Sequence, residues 1–83
     1  MEKKTIQLEV SKLLLKISRA KNIKFDSLFV NNNKIDSLDL LNLYSLLEKK
    51  YKIKFKSNEL TKLTSINNIY RIISKKNNEK KQK

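Results

Sequence analysis

The chain has 83 residues, enough for one domain and little more, and a domain of this size buries only about three-fifths of its unfolded surface. It contains no Cys, His, Trp, Gly or Pro, which removes disulfides, a thiolate nucleophile and the commonest metal ligand and general base, so a self-contained enzyme is not expected. Its 20 Lys and Arg against 8 Asp and Glu give a net charge of +12, a balance that suits a polyanion or an anionic surface, although the Lys-, Asn- and Ile-rich usage of an AT-rich genome produces the same excess. The carboxylates lack the D-x-[DN]-x-[DN]-G spacing of a calcium loop, and no metal site is expected.

The N-terminal Met1-Glu2-Lys3-Lys4 leads into an amphipathic pattern instead of a signal-peptide core, and the longest apolar runs, such as Leu13-Leu14-Leu15, are far too short to cross a bilayer. The chain therefore reads as soluble and cytoplasmic, with no membrane span. Ile6, Val10, Leu13, Leu14 and Ile17 form one apolar stripe at helical spacing, which predicts a first helix over about 4–20. From Lys21 to Ile35 the pattern dissolves into a polar segment with isolated hydrophobes, Phe25 and Phe29 among them, and the run Asn31-Asn32-Asn33 suits turns. A long ordered loop pinned by buried aromatics is expected, and loops of this length in small domains are usually functional.

Asp36-Ser37 then supplies two good capping residues directly before an apolar run, predicting a second helix over about 37–51. Its eight large apolar residues from Leu38 to Tyr51 exceed one narrow stripe, so a broad buried side with apolar residues left over at the edge is expected. Tyr51-Lys52-Ile53-Lys54-Phe55-Lys56 alternates like a strand, but no second alternating run exists to pair with it, and an unpaired strand leaves its backbone groups unsatisfied. It reads as an extended connection burying Ile53 and Phe55. Ser57 could cap a short third helix through Leu60, and Thr64-Ser65 precedes a final helix carrying Ile66, Ile69, Tyr70, Ile72 and Ile73. With no apolar residue after Ser74, residues 75–83 are expected to form a disordered Lys-rich tail beyond a helical domain at 1–74.

The local feature with chemical potential is Ile35-Asp36-Ser37-Leu38-Asp39, a serine at the mouth of a helix after a long loop. A phosphate esterified there would meet unpaired backbone amides and the positive end of the helix dipole. A serine in that place is most often only a cap. The surroundings extend the pattern: Phe29-Val30 seven residues before Asp36, then Leu41, Leu43, Leu47 and Glu48 with Tyr51, Ile53 with Phe55, Glu59, and Lys62-Leu63-Thr64-Ser65-Ile66. With these spacings the chain resembles the acyl carrier protein family from about Ile6 to Ile73.

The resemblance implies an all-α fold, a small four-helix bundle with a long loop between helices 1 and 2 and a short third helix. It implies that Ser37 carries 4′-phosphopantetheine taken from coenzyme A, attached by a separate phosphopantetheinyl transferase. The arm would hold acyl groups as thioesters for fatty-acid or related biosynthesis, and the chain itself would be a monomeric, non-catalytic carrier. Asp36, Leu38 and Asp39 match positions that the transferase and partner enzymes contact in similar proteins. The chain departs from the family where the usual acidic second helix carries Asn42, Lys49, Lys50 and Lys52, with Asp36, Asp39, Glu48 and Glu59 retained. Glu48, Lys49 and Lys50 are therefore expected to take part in partner contact, the lysines suiting synthases with acidic docking surfaces. Two other functions compete: a small basic nucleic-acid-binding protein, against which the dispersed lysines and missing stacking motif speak, and an arm-less structural subunit of the same fold. No specific nucleic-acid partner is expected.

Overall fold

The computed structural model describes residues 3–81, with side chains described for residues 3–77. Four helices follow in order: α1 (Lys3–Ile17), α2 (Ser37–Tyr51), α3 (Ser57–Leu60) and α4 (Ile66–Lys81), with a single 3₁₀ turn at Phe29–Asn31 inside the long α1–α2 loop. Among the described residues there is no strand, and no helix is long and apolar enough to cross a membrane.

α1 packs on both α2 and α4. Its buried face consists of Ile6, Val10 and Leu14, the expected stripe, with Leu13 and Ile17 half-buried beside it. The helix ends at Ile17, short of the expected residue 20, because Ser18 turns local bonding away from the helix. The Ser18 hydroxyl donates to Leu14 O at 2.7 Å and accepts from Ala20 N–H at 3.3 Å, a competition that serine commonly offers to the helical ladder. Lys50 Nζ meets Glu9 at 3.0 Å and Arg19 N–H donates to Lys34 O at 3.2 Å, so α2 runs antiparallel to α1. Gln7, 8% exposed, donates through Nε2 to Asn67 Oδ1, and Lys3 lies over the Tyr70 ring at 5.8 Å. α4 is thus also antiparallel to α1.

Leu43, Leu47, Leu63, Ile66, Ile69 and Ile73 complete the centre of the core with the α1 stripe. The buried side of α2 is narrower than expected: only Leu43 and Leu47 are fully buried, with Leu40, Tyr44 and Tyr51 at its margins. The segment after α2 is extended and unpaired, as its sequence implied, with Ile53 and Phe55 buried. Since the chain has no glycine, Lys52 itself takes the left-handed C-cap conformation, φ 56° and ψ 49°, the position usually given to Gly.

α3 is capped from Lys56 rather than Ser57: Lys56 N–H donates to Glu59 Oε1 at 2.7 Å. At α4, Ser65 Oγ accepts from Asn68 N–H at 3.2 Å, the capping role expected of Thr64-Ser65. The expectation of a disordered tail from residue 75 meets a helix that continues to Lys81; residues 82–83 lie outside the described residues. No Gly or Pro is present to stop the helix, lysine and glutamate are good helix formers, and Lys76 Nζ is held by Glu59 at 2.8 Å.

Candidate functional site at the mouth of α2

The loop that delivers α2 is fixed from several directions. Phe29 and Ile35, 3% and 8% exposed, anchor it in the core. Phe29 N–H donates to Thr64 O at 2.8 Å and Asn67 N–H donates to Phe25 O at 2.9 Å, which tie the loop to the start of α4. Asn32 closes the last turn before the helix, its Oδ1 accepting from Lys34 N–H at 2.9 Å and its carbonyl from Ile35 N–H at 3.2 Å. These are the side-chain-to-backbone bonds for which asparagine is favoured in turns.

Asp36 is the N-cap of α2, with extended backbone at φ −103° and ψ 175°. Its Oδ1 accepts from Asp39 N–H at 2.9 Å, and Asp39 Oδ2 accepts from Asp36 N–H at 3.2 Å. This reciprocal pair is a capping box, with Asp in the place more often held by Glu. It answers the question left by the sequence, because the cap is Asp36 and the adjoining Ser37 is not needed for it. Ser37 is exposed at the first helical position. The amides of Ser37 and Leu38 fall among the first-turn donors that a helix cannot satisfy internally, and the helix dipole favours negative charge there. Leu38 stands beside them, 69% exposed.

The residues singled out from sequence form two groups. Asp36, Ser37, Leu38 and Asp39 share the first turn, while Glu48, Lys49 and Lys50 lie near the other end of α2, with about 18 Å of helix rise between Ser37 and Lys49. Glu48 Oε2 accepts from Phe55 N–H at 2.9 Å, which holds the extended segment against α2. Lys50 pairs with Glu9, whereas Lys49 is exposed. Tyr44, whose pKa burial raises above its usual value, donates from its hydroxyl to Leu63 O at 3.0 Å. Its ring meets Phe55 edge-on, with centroids 6.2 Å apart. Leu41, counted from the sequence only among the apolar residues of the second helix, stands at the surface, 56% exposed. Its position one turn after Leu38 and away from the Leu43–Leu47 row was the available signal.

The helix order, the long anchored loop and the exposed first-turn serine on α2 define an all-α fold of the acyl-carrier type. Among solved structures the chain is similar to one from Mycobacterium tuberculosis described as a "putative acyl carrier protein", with a TM-score of 0.64 at 19% sequence identity, covering 87% of this chain and 93% of that one. No protein-family model matches the chain, and no curated protein matches it in sequence.

Proposed function

We infer that this protein is a carrier whose Ser37 bears a 4′-phosphopantetheine arm. The observation that carries this reading is the division of labour at the mouth of α2: Asp36 and Asp39 close the cap with each other's backbone, and the exposed Ser37 is left over. The donor set fits the group, since a primary hydroxyl on an exposed residue can be esterified without disturbing a structural bond. Unsatisfied first-turn amides lie beside it to meet a phosphodiester. On loading from coenzyme A by a separate transferase, Ser37 Oγ forms the new bond to phosphorus and loses its proton, and adenosine 3′,5′-bisphosphate leaves.

When bound, the arm supplies a terminal thiol on which an acyl group is carried as a thioester, a nucleophile that a chain without cysteine does not have. The protein's own residues hold the serine out from the surface and keep its loop rigid. Leu38 offers apolar area next to it. The cargo class is acyl groups for fatty-acid or related biosynthesis, and catalysis belongs to the enzymes that visit the carrier.

The test is incubation of the full chain with coenzyme A and a panel of phosphopantetheinyl transferases that includes the one from its own host, read by intact-protein mass. One arm on the native chain and none on Ser37→Ala is expected. An arm on another residue, or none with any transferase of the panel, refutes the reading.

A further inference from the structure

The two ends of the long α1–α2 loop meet at one place. Ser18 Oγ accepts from Ala20 N–H at 3.3 Å and Ala20 is buried, while its neighbours Arg19 and Lys21 are exposed. At the other end Ile35 is buried and Lys34 before it is exposed. The bond from Arg19 N–H to Lys34 O, 3.2 Å, staples the two ends together. An open pocket of about 410 Å³ lies there, lined by Arg19, Ala20, Lys21, Asn22, Asn32 and Lys34, a volume within the range of small-molecule sites.

The lining is rich in donors and in positive charge. None of these residues is Asp or Glu. Among the described residues no carboxylate pairs with Arg19, Lys21 or Lys34, whereas Lys50 and Lys76 each have one. Asn32 uses its Oδ1 to accept from Lys34 N–H, and its Nδ2, like the Asn22 side chain, has no hydrogen-bond partner among the described residues. A concave wall of one charge sign concentrates ions of the other. Three cations around one opening balance a multiply charged phosphate, with the Arg19 fork suited to two of its oxygens; a single carboxylate would leave two of the cations facing each other unneutralised.

We propose that this pocket is a binding site for a phosphate group, held by Arg19, Lys21 and Lys34 with the Asn22 and Asn32 amides donating to its remaining oxygens. Ser37 does not line the pocket, and the site stands whether or not that serine bears an arm. The same chemistry is offered by inorganic phosphate, by a nucleoside bisphosphate and by the headgroup of an anionic lipid. A nucleic-acid duplex is a less suitable occupant, because a rigid rod meets the lysines spread over the convex faces of the chain before it meets a recess, and the walls here favour a group small enough to enter.

The experiment is an NMR titration of the full ¹⁵N-labelled chain at constant ionic strength with sodium phosphate, adenosine 3′,5′-bisphosphate, vesicles containing phosphatidic acid, sodium acetate and a short DNA duplex. At least one of the three phosphate probes should give saturable shifts or broadening centred on the amides of Arg19, Lys21, Asn22, Asn32 and Lys34, and the one that saturates at the lowest concentration identifies the source. Acetate should not saturate. Arg19→Gln and Lys34→Gln should each weaken binding roughly five-fold, and Lys21→Gln, at a residue outside the backbone staple, should do the same with the fold untouched. Lys12→Gln, an equal charge change on α1, should leave the affinity as it was. No saturation with any phosphate probe, equal saturation by acetate, or an equal loss from Lys12→Gln overturns the proposal. Tighter binding of the duplex through the same amides overturns it as well and assigns the pocket to nucleic acid.

Discussion

Leucines 43 and 47 and leucines 38 and 41 occupy the same helix, a few residues apart, and have opposite fates. The first two are fully buried in the core, and the second two are more than half exposed. Composition does not distinguish them; angle around the helix axis does. A helix this rich in leucine needs only one narrow row for its core, and what remains on the other faces is available for contact with other molecules.

The contrast can be broken from the inside first. Leu47→Ala should destabilise the domain by roughly 2–5 kcal/mol, the usual result of emptying a packed leucine site, which thermal or denaturant unfolding would show as a large drop; a melting point within a degree or two of the native chain would mean the buried row is misassigned. A smaller loss tests the margin of that row. Tyr44→Phe keeps the ring against Phe55 but leaves Leu63 O without its donor, and about 1 kcal/mol should be lost. On the outer face, Leu41→Ser should change stability by no more than about 0.5 kcal/mol in the same unfolding measurement.

The weakest effect concerns the link between α3 and α4. Burial pushes the Glu59 pKa upward, but the Lys56 N–H bond and the Lys76 ammonium outweigh it and hold the carboxyl below its usual 4.5. A carboxyl with a lowered folded pKa binds fewer protons folded than unfolded, so its contribution is present above about pH 4.5 and fades as pH falls through the lower folded value. Glu59→Gln should flatten that part of the stability–pH curve, measured by denaturation across the acid range, and leave neutral-pH helicity nearly unchanged.

Much of this architecture could be read from the residues. The bounds of α2 and the buried alternation of Ile53 and Phe55 followed from periodicity, because those signals are local. The width of the buried side of α2 did not, since counting leucines does not say how many of them one small core can take. The extension of α4 was hidden because apolar content marks where a helix is held by a core, not where it ends, and Lys76 is held by a carboxylate from α3. The Gln7–Asn67 bond inside the α1–α4 seam joins residues sixty positions apart, which no local pattern reveals. At the site, the tetrapeptide Asp36-Ser37-Leu38-Asp39 was legible as a helix start, but which of its first two residues makes the cap was settled only by geometry.

That cap has an evolutionary consequence. Because Asp36 and Asp39 fold the helix mouth between themselves, a change at Ser37, the attachment residue in the function proposed above, lies outside the set of changes that would unfold the chain. Selection on the scaffold and selection on its chemistry can therefore act independently. A lineage can retire the serine and keep an intact helical body for another duty, or keep the serine while the lysines of α2 drift toward new associates, without crossing an unfolded intermediate in either case.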